Sequence, residues 1–128
     1  AEYCFGVDNN GSTIGTANKY ITVRGYLPKI TLLAYDLNKG LEALMCKAGD
    51  DKFNYVFALS VMKHIDREHL FSVIDYYAGE VCWFEGHNKQ KAKKVEKILS
   101  QELPRSKSIE FKGYTLDRGK RPAFKILF

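Results

Sequence analysis

The chain has 128 residues, of which 45% are hydrophobic and 27% are charged, a composition typical of one soluble globular domain. That length can bury a core without disulfides or metals, and no apolar run approaches the roughly 18 residues that a membrane span needs. The sequence shows no signal-peptide pattern, and its three cysteines form no close pair: Cys4, Cys46 and Cys82. We therefore expect a cytoplasmic protein with reduced thiols. Residues 1–128 are expected to form a single domain.

The first half of the chain predicts two strands and two helices. "YCFGVD" is a short strand, followed by a helix with Ser12 as its N-cap and Gly25 as its stop. After Pro28, "KITLLAYD" predicts a second strand, and "LEALMCK" a short helix between Gly40 and Gly49.

The second half begins with "FNYVFALSVMKHID", whose apolar residues 54–59 suit an interior strand of a parallel sheet. Asp66 is the expected N-cap of the next helix, and Gly79 its end; four apolar residues form the buried face of this helix: Leu70, Phe71, Ile74 and Tyr77. "EVCWFEG" predicts a fourth strand, and a lysine-rich helix then runs to Pro104. "SIEFKGYTL" and "RPAFKILF" form a hairpin around the turn sequence "DRGK".

The alternation of strands and helices predicts an α/β fold of the Rossmann-like type. Its sheet is mostly parallel, with helices on both faces and a C-terminal antiparallel hairpin. Ligands of such sheets bind beyond the carboxyl ends of the strands. Asp8, Asp36 and Ser60 each follow such an end, and the two acids are expected at the same edge of the sheet. For both acids, a role in a cap or turn is the alternative.

In order and spacing, these segments resemble the motifs of class I S-adenosylmethionine-dependent methyltransferases. "FGVDNNGSTIGTANKY" is similar to the second motif of that family, "ITLLAYDLN" to the third and "FNYVFALSVMKHID" to the fourth, with Asn54 where an Asp is usual. "GEVCWFEGHN" resembles the fifth strand, and the hairpin resembles the reversed last strand of a sheet ordered 3-2-1-4-5-7-6.

The resemblance implies a cofactor site for S-adenosylmethionine. Asp8 would hold the ribose, Asn9 and Leu37 would flank the adenine, and Asp36 would bond its amino group. Leu59 and Ser60 would line the methionine side.

The family's first strand and its G-x-G-x-G loop have no counterpart here, because Gly6, Gly11 and Gly15 have a different spacing. The chain is therefore interpreted as the later part of a larger domain, or else as a domain that has lost this element. Weak or lost cofactor binding is expected. The gap in the sheet is expected to close either by direct pairing of the two strands that flank it or by a homodimer.

Three residues that follow strand ends are candidate general bases for methyl transfer: His64, Glu85 and His87. Their alternatives are a rim residue for His64, an ion-pair acid for Glu85, and, for His87 with Asn88, the N-cap region of the next helix. Cys82, Glu85 and His87 do not make up a complete set of metal ligands, so no metal site is predicted.

The resemblance implies methyl transfer to an oxygen or nitrogen of a small-molecule or sugar-like acceptor. The first alternative is a non-catalytic, degenerate Rossmann-like domain that acts in binding or assembly. The second is nicotinamide-dependent oxidoreduction, which the terminal hairpin and the missing fingerprint disfavour.

Much of the net charge of +5 lies in "KQKAKKVEK". Apolar residues recur there at helical spacing (Ala92, Val95, Ile98, Leu99 and Leu103), which leaves the lysines facing solvent. A solvated face is therefore the preferred interpretation and phosphate contact the alternative, so neither nucleic acid nor membrane is expected as a partner.

Overall fold

A computed structural model describes residues 3–26 and 29–128, which divide into two compact units, the first ending at Gly49 and the second beginning at Asp50. Pro28, expected to precede the second strand, lies outside the described residues. None of the described helices combines the length and apolarity required to cross a bilayer.

The first unit is built on two parallel strands, β1 (Cys4–Asp8) and β2 (Ile30–Ala34). Helix α1 (Gly11–Val23) connects them, and a 3-10 turn (Leu37–Lys39) and helix α2 (Leu41–Ala48) follow. The predicted strands and helices of this half are thus present. Gly25 has a φ of +68°, a conformation that suits glycine, directly after the end of α1.

The N-cap of α1 is Asn10, so the prediction of Ser12 is wrong. The Asn10 side-chain oxygen accepts the N–H groups of Ser12 at 3.0 Å and Thr13 at 3.1 Å. Asn and Ser cap helices about equally well, so their residue types do not distinguish them. Asn10 is the cap because its backbone is extended, whereas Ser12 already lies within the helix.

The second unit contains a four-stranded sheet in the order β3-β4-β6-β5. Strands β3 (Phe53–Ala58) and β4 (Ala78–Glu85) are parallel. Strands β5 (Ser108–Tyr114) and β6 (Pro122–Leu127) form the predicted antiparallel hairpin, and β6 pairs with β4. Helix α3 (Arg67–Tyr77) connects β3 to β4, and helix α4 (Ala92–Glu102) connects β4 to β5.

The core of this unit forms where α3 and α4 pack on the sheet. Phe71 of α3 stacks on Phe84 of β4 with ring centroids 5.8 Å apart. The predicted apolar face of α3 is buried as expected, and the core cluster also contains Cys82, Val95, Leu99, Leu103, Phe124 and Ile126. The apolar stripe of α4 is therefore directed inward, as its spacing predicts.

Gly79 does not end α3, contrary to the sequence prediction. The helix ends at Tyr77, β4 starts at the next residue, and Gly79 lies within that strand. A Cβ on Gly79 would come within 3.1 Å of the carbonyl oxygen of Phe53, so a close approach of β3 explains this glycine.

The prediction that residues 54–59 form an interior strand is wrong for this sheet, in which β3 is the edge strand. The side chains of Tyr55 and Phe57 are 60% and 64% exposed. The apolar character of these residues suggested a strand buried on both faces. Apolar residues alone do not show whether another strand pairs with β3 or whether another element covers its side chains.

Candidate functional site

Asp8 is the last residue of β1, and Asp36 follows the carboxyl end of β2 by two residues. In the parallel register Asp8 lies opposite Ala34, and the backbone N–H of Tyr35 donates to the Asp8 carbonyl at 2.9 Å. Asp36 is the next residue along the chain. The two acids therefore lie at the same edge of the strand pair, as predicted.

Each of these carboxylates also organises its own loop. Oδ1 of Asp8, an exposed residue, accepts the Asn10 N–H at 2.7 Å, and Oδ1 of the half-buried Asp36 accepts the Asn38 N–H at 3.0 Å. The turn and cap roles considered as alternatives are thus present. They leave acceptor capacity for a ligand, because a carboxylate offers about four lone-pair positions.

The remaining adenine-side candidates are neighbours of these acids. Asn9 is exposed immediately after Asp8, and Leu37 is half-buried as the first residue of the 3-10 turn.

Tyr35 also lies at this edge, although it was not among the predicted site residues. Its side chain is buried, and its hydroxyl donates to the Gly40 carbonyl at 3.0 Å, which closes the loop that carries Asp36. Burial raises the pKa of Tyr35, and the charge of Asp36 and the nearby Cys46 add to the effect. The signal available in the sequence was an aromatic residue directly before the acid in "AYDLN".

In the second unit, Leu59 and Ser60 follow the carboxyl end of β3. Leu59 is 48% exposed. Ser60 has a φ of 61°, in the left-handed region that costs an L-residue roughly 1–2 kcal/mol. Strain of this kind concentrates at functional sites, where the surrounding structure maintains it.

The three candidate bases differ in their surroundings. His64 is exposed in the loop after β3, where its backbone N–H donates to the Val61 carbonyl at 2.9 Å. His87 is half-buried after β4, and its backbone N–H donates to the Gln90 side chain at 2.6 Å. The N-cap of α4 is Lys91, so the alternative that placed the cap near His87 and Asn88 is wrong.

Glu85, the last residue of β4, lies in an ion-pair network with the hairpin. Oε2 of Glu85 is 3.3 Å from Nε of Arg121, although the angle is not that of a hydrogen bond, and Nη2 of Arg121 is 2.6 Å from Asp117. The side chains of Glu85 and Arg121 are only 18% and 23% exposed. The ion-pair role considered as the alternative for Glu85 is therefore present.

Among the described residues, neither a surface concavity along α1 nor a metal-ligand cluster coincides with the predicted site residues. A shallow concavity of about 560 Å³ follows one face of α1, and none of the predicted site residues lines it. Within residues 3–26 and 29–128, no group of three or more His, Cys, Asp or Glu side chains could hold a metal ion.

No family model matches the chain, and no curated protein matches it. Solved structures do share its fold. The magnesium protoporphyrin IX methyltransferase ChlM from Synechocystis PCC 6803, with bound SAM, superposes with a TM-score of 0.68 at 20% identity, over 98% of this chain and 59% of ChlM. The CMeT domain of the citrinin polyketide synthase has a TM-score of 0.68 at 11% identity, and the match covers 97% of this chain and 38% of the CMeT chain. The fold is that of the class I S-adenosylmethionine-dependent methyltransferases.

The strand pairings support this assignment in detail. When β1 to β6 are taken as strands 2, 3, 4, 5, 6 and 7 of the methyltransferase order, the neighbours β2-β1 and β3-β4-β6-β5 reproduce every pairing that does not involve strand 1. The antiparallel placement of β6 between β4 and β5 is the feature that separates this fold from that of the dehydrogenases.

The methyltransferase fold also serves other chemistry. A precorrin 8W decarboxylase from Methanobacterium thermoautotrophicum matches with a TM-score of 0.64 at 14% identity, and the match covers 99% of this chain and 70% of the decarboxylase chain. The chain spans about 59% of the length of ChlM. The activity must therefore be inferred from the residues of the site.

The acids of the first unit fit the adenosine part of S-adenosylmethionine. Ribose hydroxyls and the adenine amino group donate hydrogen bonds, and the side-chain oxygens of Asp8 and Asp36 can accept them. The Tyr35–Asp8 backbone bond fixes their loops at one edge. The hydrogen-bond acceptors of this edge are therefore compatible with the cofactor.

Proposed function

We propose that this chain is a methyltransferase domain that binds S-adenosylmethionine and serves methyl transfer to an oxygen or nitrogen of a small-molecule or sugar-like acceptor. The observation that carries the proposal is the position of Asp8 and Asp36 at one edge of β1 and β2, within a methyltransferase fold. Asp8 would accept from the ribose hydroxyls and Asp36 from the adenine amino group. Asn9 and Leu37 would flank the adenine.

The cofactor supplies an electrophilic methyl group on a sulfonium, which an acceptor atom displaces in line. The contribution of the protein is to hold the acceptor in position and to take its proton. His64 and His87 are suited to the second task, because a neutral imidazole accepts a proton near neutral pH. Glu85 is the weaker candidate, because Arg121 already neutralises its charge.

The proposal can be tested by titrating the ¹⁵N-labelled chain with S-adenosylhomocysteine up to millimolar concentration, with NAD⁺ as the comparison ligand. NMR detects weak binding and locates it by residue. We expect shift changes to centre on Asp8, Asn9, Asp36 and Leu37, and the same spectra test the predicted contacts of Leu59 and Ser60. A chain that responds equally to NAD⁺, or to neither ligand, would contradict the proposed cofactor specificity.

A second function, in assembly, is favoured by the exposed edge of β3. Unpaired strand edges with apolar side chains associate readily, and Tyr55 and Phe57 are more than half exposed. We propose that a second copy of the chain pairs at this edge. Such a dimer is compatible with either an active methyltransferase or a non-catalytic domain.

A further inference from the structure

The positive charge of the protein is concentrated in residues 89–97. This segment contains one acid, Glu96, and five lysines, so it carries a net +4 of the total of +5: Lys89, Lys91, Lys93, Lys94 and Lys97. All five lysines are exposed. Outside this segment the charges of the chain almost cancel.

The lysines occupy the end of α4 where positive charge is least favourable. Lys91 is the N-cap, the first turn contains no acid, and no side chain caps the helix from the N-cap position. The helix macrodipole favours acids there, by roughly 0.3–1 kcal/mol each, so the lysines lower the stability of α4. A local conflict of this kind without an evident structural gain is typical of a functional surface.

The protein does not neutralise this charge internally. In the part of the chain that the structure describes, none of the five lysines forms an ion pair. Two acids of the hairpin pair with other cations: Glu110 lies 2.5 Å from Lys112, and Asp117 lies 2.6 Å from Arg121.

The hairpin turn extends the positive surface. The backbone N–H of Lys89 donates to the Gly119 carbonyl at 3.3 Å, which brings the loop before α4 against a turn that carries Arg118 and Lys120. The surface therefore includes basic residues from two separate segments.

Two exposed aromatic rings adjoin the same end of α4. The Tyr114 hydroxyl accepts the N–H of Ala92, between Lys91 and Lys93 in sequence, at 3.3 Å. Tyr114 is 48% exposed and Phe111 is 44% exposed, and their rings are 5.3 Å apart in an edge-on arrangement. Large apolar rings left in solvent beside a cluster of lysines are suited to stacking against nucleobases.

We infer that these residues form a binding surface for single-stranded nucleic acid. The lysine–aromatic surface consists of the five lysines of residues 89–97 together with Phe111 and Tyr114. Its lysines contact phosphates and its rings stack on bases, the combination by which single strands are bound without sequence preference. The inference takes up phosphate contact, the alternative that the sequence pattern favours less than a solvated face, and it does not rest on the proposed methyl transfer.

An anionic membrane is the less suitable partner for α4. A helix that binds a bilayer surface buries an apolar face in the lipid. The apolar residues of α4 are committed to the core, since Val95, Leu99 and Leu103 are fully buried.

The direct test is fluorescence anisotropy with a fluorescein-labelled 20-nucleotide oligouridylate and the full chain at 50 mM and 200 mM NaCl. Four phosphate contacts on a single strand predict an affinity loss of roughly 50-fold between these salt concentrations. The triple variant Lys93→Glu/Lys94→Glu/Lys97→Glu should lose at least about tenfold in affinity at 50 mM. The matched control, Lys19→Glu/Lys29→Glu/Lys47→Glu, changes the net charge equally at exposed lysines of the first unit and should bind much better than the α4 variant.

Two variants of Tyr114 separate stacking from the hydrogen bond to α4. Tyr114→Leu should lower affinity by roughly 5- to 150-fold, whereas Tyr114→Phe, which keeps the ring, should stay within about threefold of the wild type. Thermal melts establish that each variant is folded.

Several results would overturn the inference. These are equal losses in the two lysine variants, equal affinity for a 20-base-pair duplex, and no loss in Tyr114→Leu. Binding to vesicles of phosphatidylcholine with phosphatidylserine, but not to the oligonucleotide, would assign the surface to membranes instead.

Discussion

The backbone N–H of Tyr35 donates to the carbonyl of Asp8 at 2.9 Å, which extends the β1–β2 ladder one step beyond β2. This bond aligns the two loops that carry the acids. Asp36 follows Tyr35 directly, and the buried Tyr35 side chain holds its loop by a bond to Gly40. The acids are thus positioned by backbone pairing and by one buried side chain, before any ligand binds.

Replacement of Asp8 by alanine should weaken the binding of S-adenosylhomocysteine by about 1–3 kcal/mol, the usual cost of losing a hydrogen bond to a charged group. Calorimetry or NMR titration can measure the change. Asp51→Ala, which removes an exposed acid from the segment before β3, is the control and should leave the affinity unchanged. Equal affinities of the wild type and Asp8→Ala would rule out the ribose role.

The edge of β3 should drive self-association. Phe57→Lys places a charge on an edge strand and should shift the protein toward the monomer, as measured by light scattering over a range of concentrations. Leu116→Lys changes a fully exposed apolar residue outside the strands and should have little effect. If the wild type is monomeric at every concentration, the proposed dimer is wrong.

The left-handed backbone conformation of Ser60 predicts different stabilities for the variants Ser60→Val and Ser60→Gly. Ser60→Val places a β-branched residue at a φ of 61° and should lower the free energy of unfolding by roughly 1–2 kcal/mol. Ser60→Gly relieves the strain but gains entropy in the unfolded chain, so its net effect should be within about 0.5 kcal/mol. Urea denaturation of both variants makes the comparison, and equal stabilities would show that the loop relaxes.

Burial raises the pKa of the Cys82 thiol from its ordinary 9.0 to about 12, while a backbone hydrogen bond from Ala58 opposes the shift. Below pH 9 the stability that the neutral thiol provides is fully present. Above pH 9 the unfolded chain loses this proton and the folded chain keeps it, so stability falls by about 1.4 kcal/mol per pH unit. Between pH 8 and pH 10 the wild type should therefore lose about 1.4 kcal/mol more than Cys82→Ala in urea denaturation. Parallel pH profiles of the two proteins would contradict this.

The same burial predicts selective thiol chemistry. Cys4 and Cys46 are exposed and Cys82 is fully buried. Iodoacetamide at pH 8 should therefore add two groups to the native protein and three in denaturant, as counted by mass spectrometry. Three rapid additions to the native protein would indicate that the core opens.

The sequence by itself determined the identity and order of the secondary structure elements. Apolar residues at helical spacing specified the buried faces of α3 and α4, and the turn sequence "DRGK" specified the hairpin. These signals are local, because periodicity and turn chemistry act over a few residues. The motif resemblance added the strand order, and the observed pairings within each unit agree with the part of that order that does not involve strand 1.

The tertiary structure decided which of these elements and side chains meet. Glu85 and Arg121 are 36 positions apart and form an ion pair, and Tyr114 bonds the first residue of α4 from 22 positions away. The edge position of β3 and the role of Gly79 as a close-approach residue are likewise long-range outcomes. A residue's own neighbours in sequence do not encode them, because strand pairing and helix packing bring together segments that the chain separates by a crossover or a reversal.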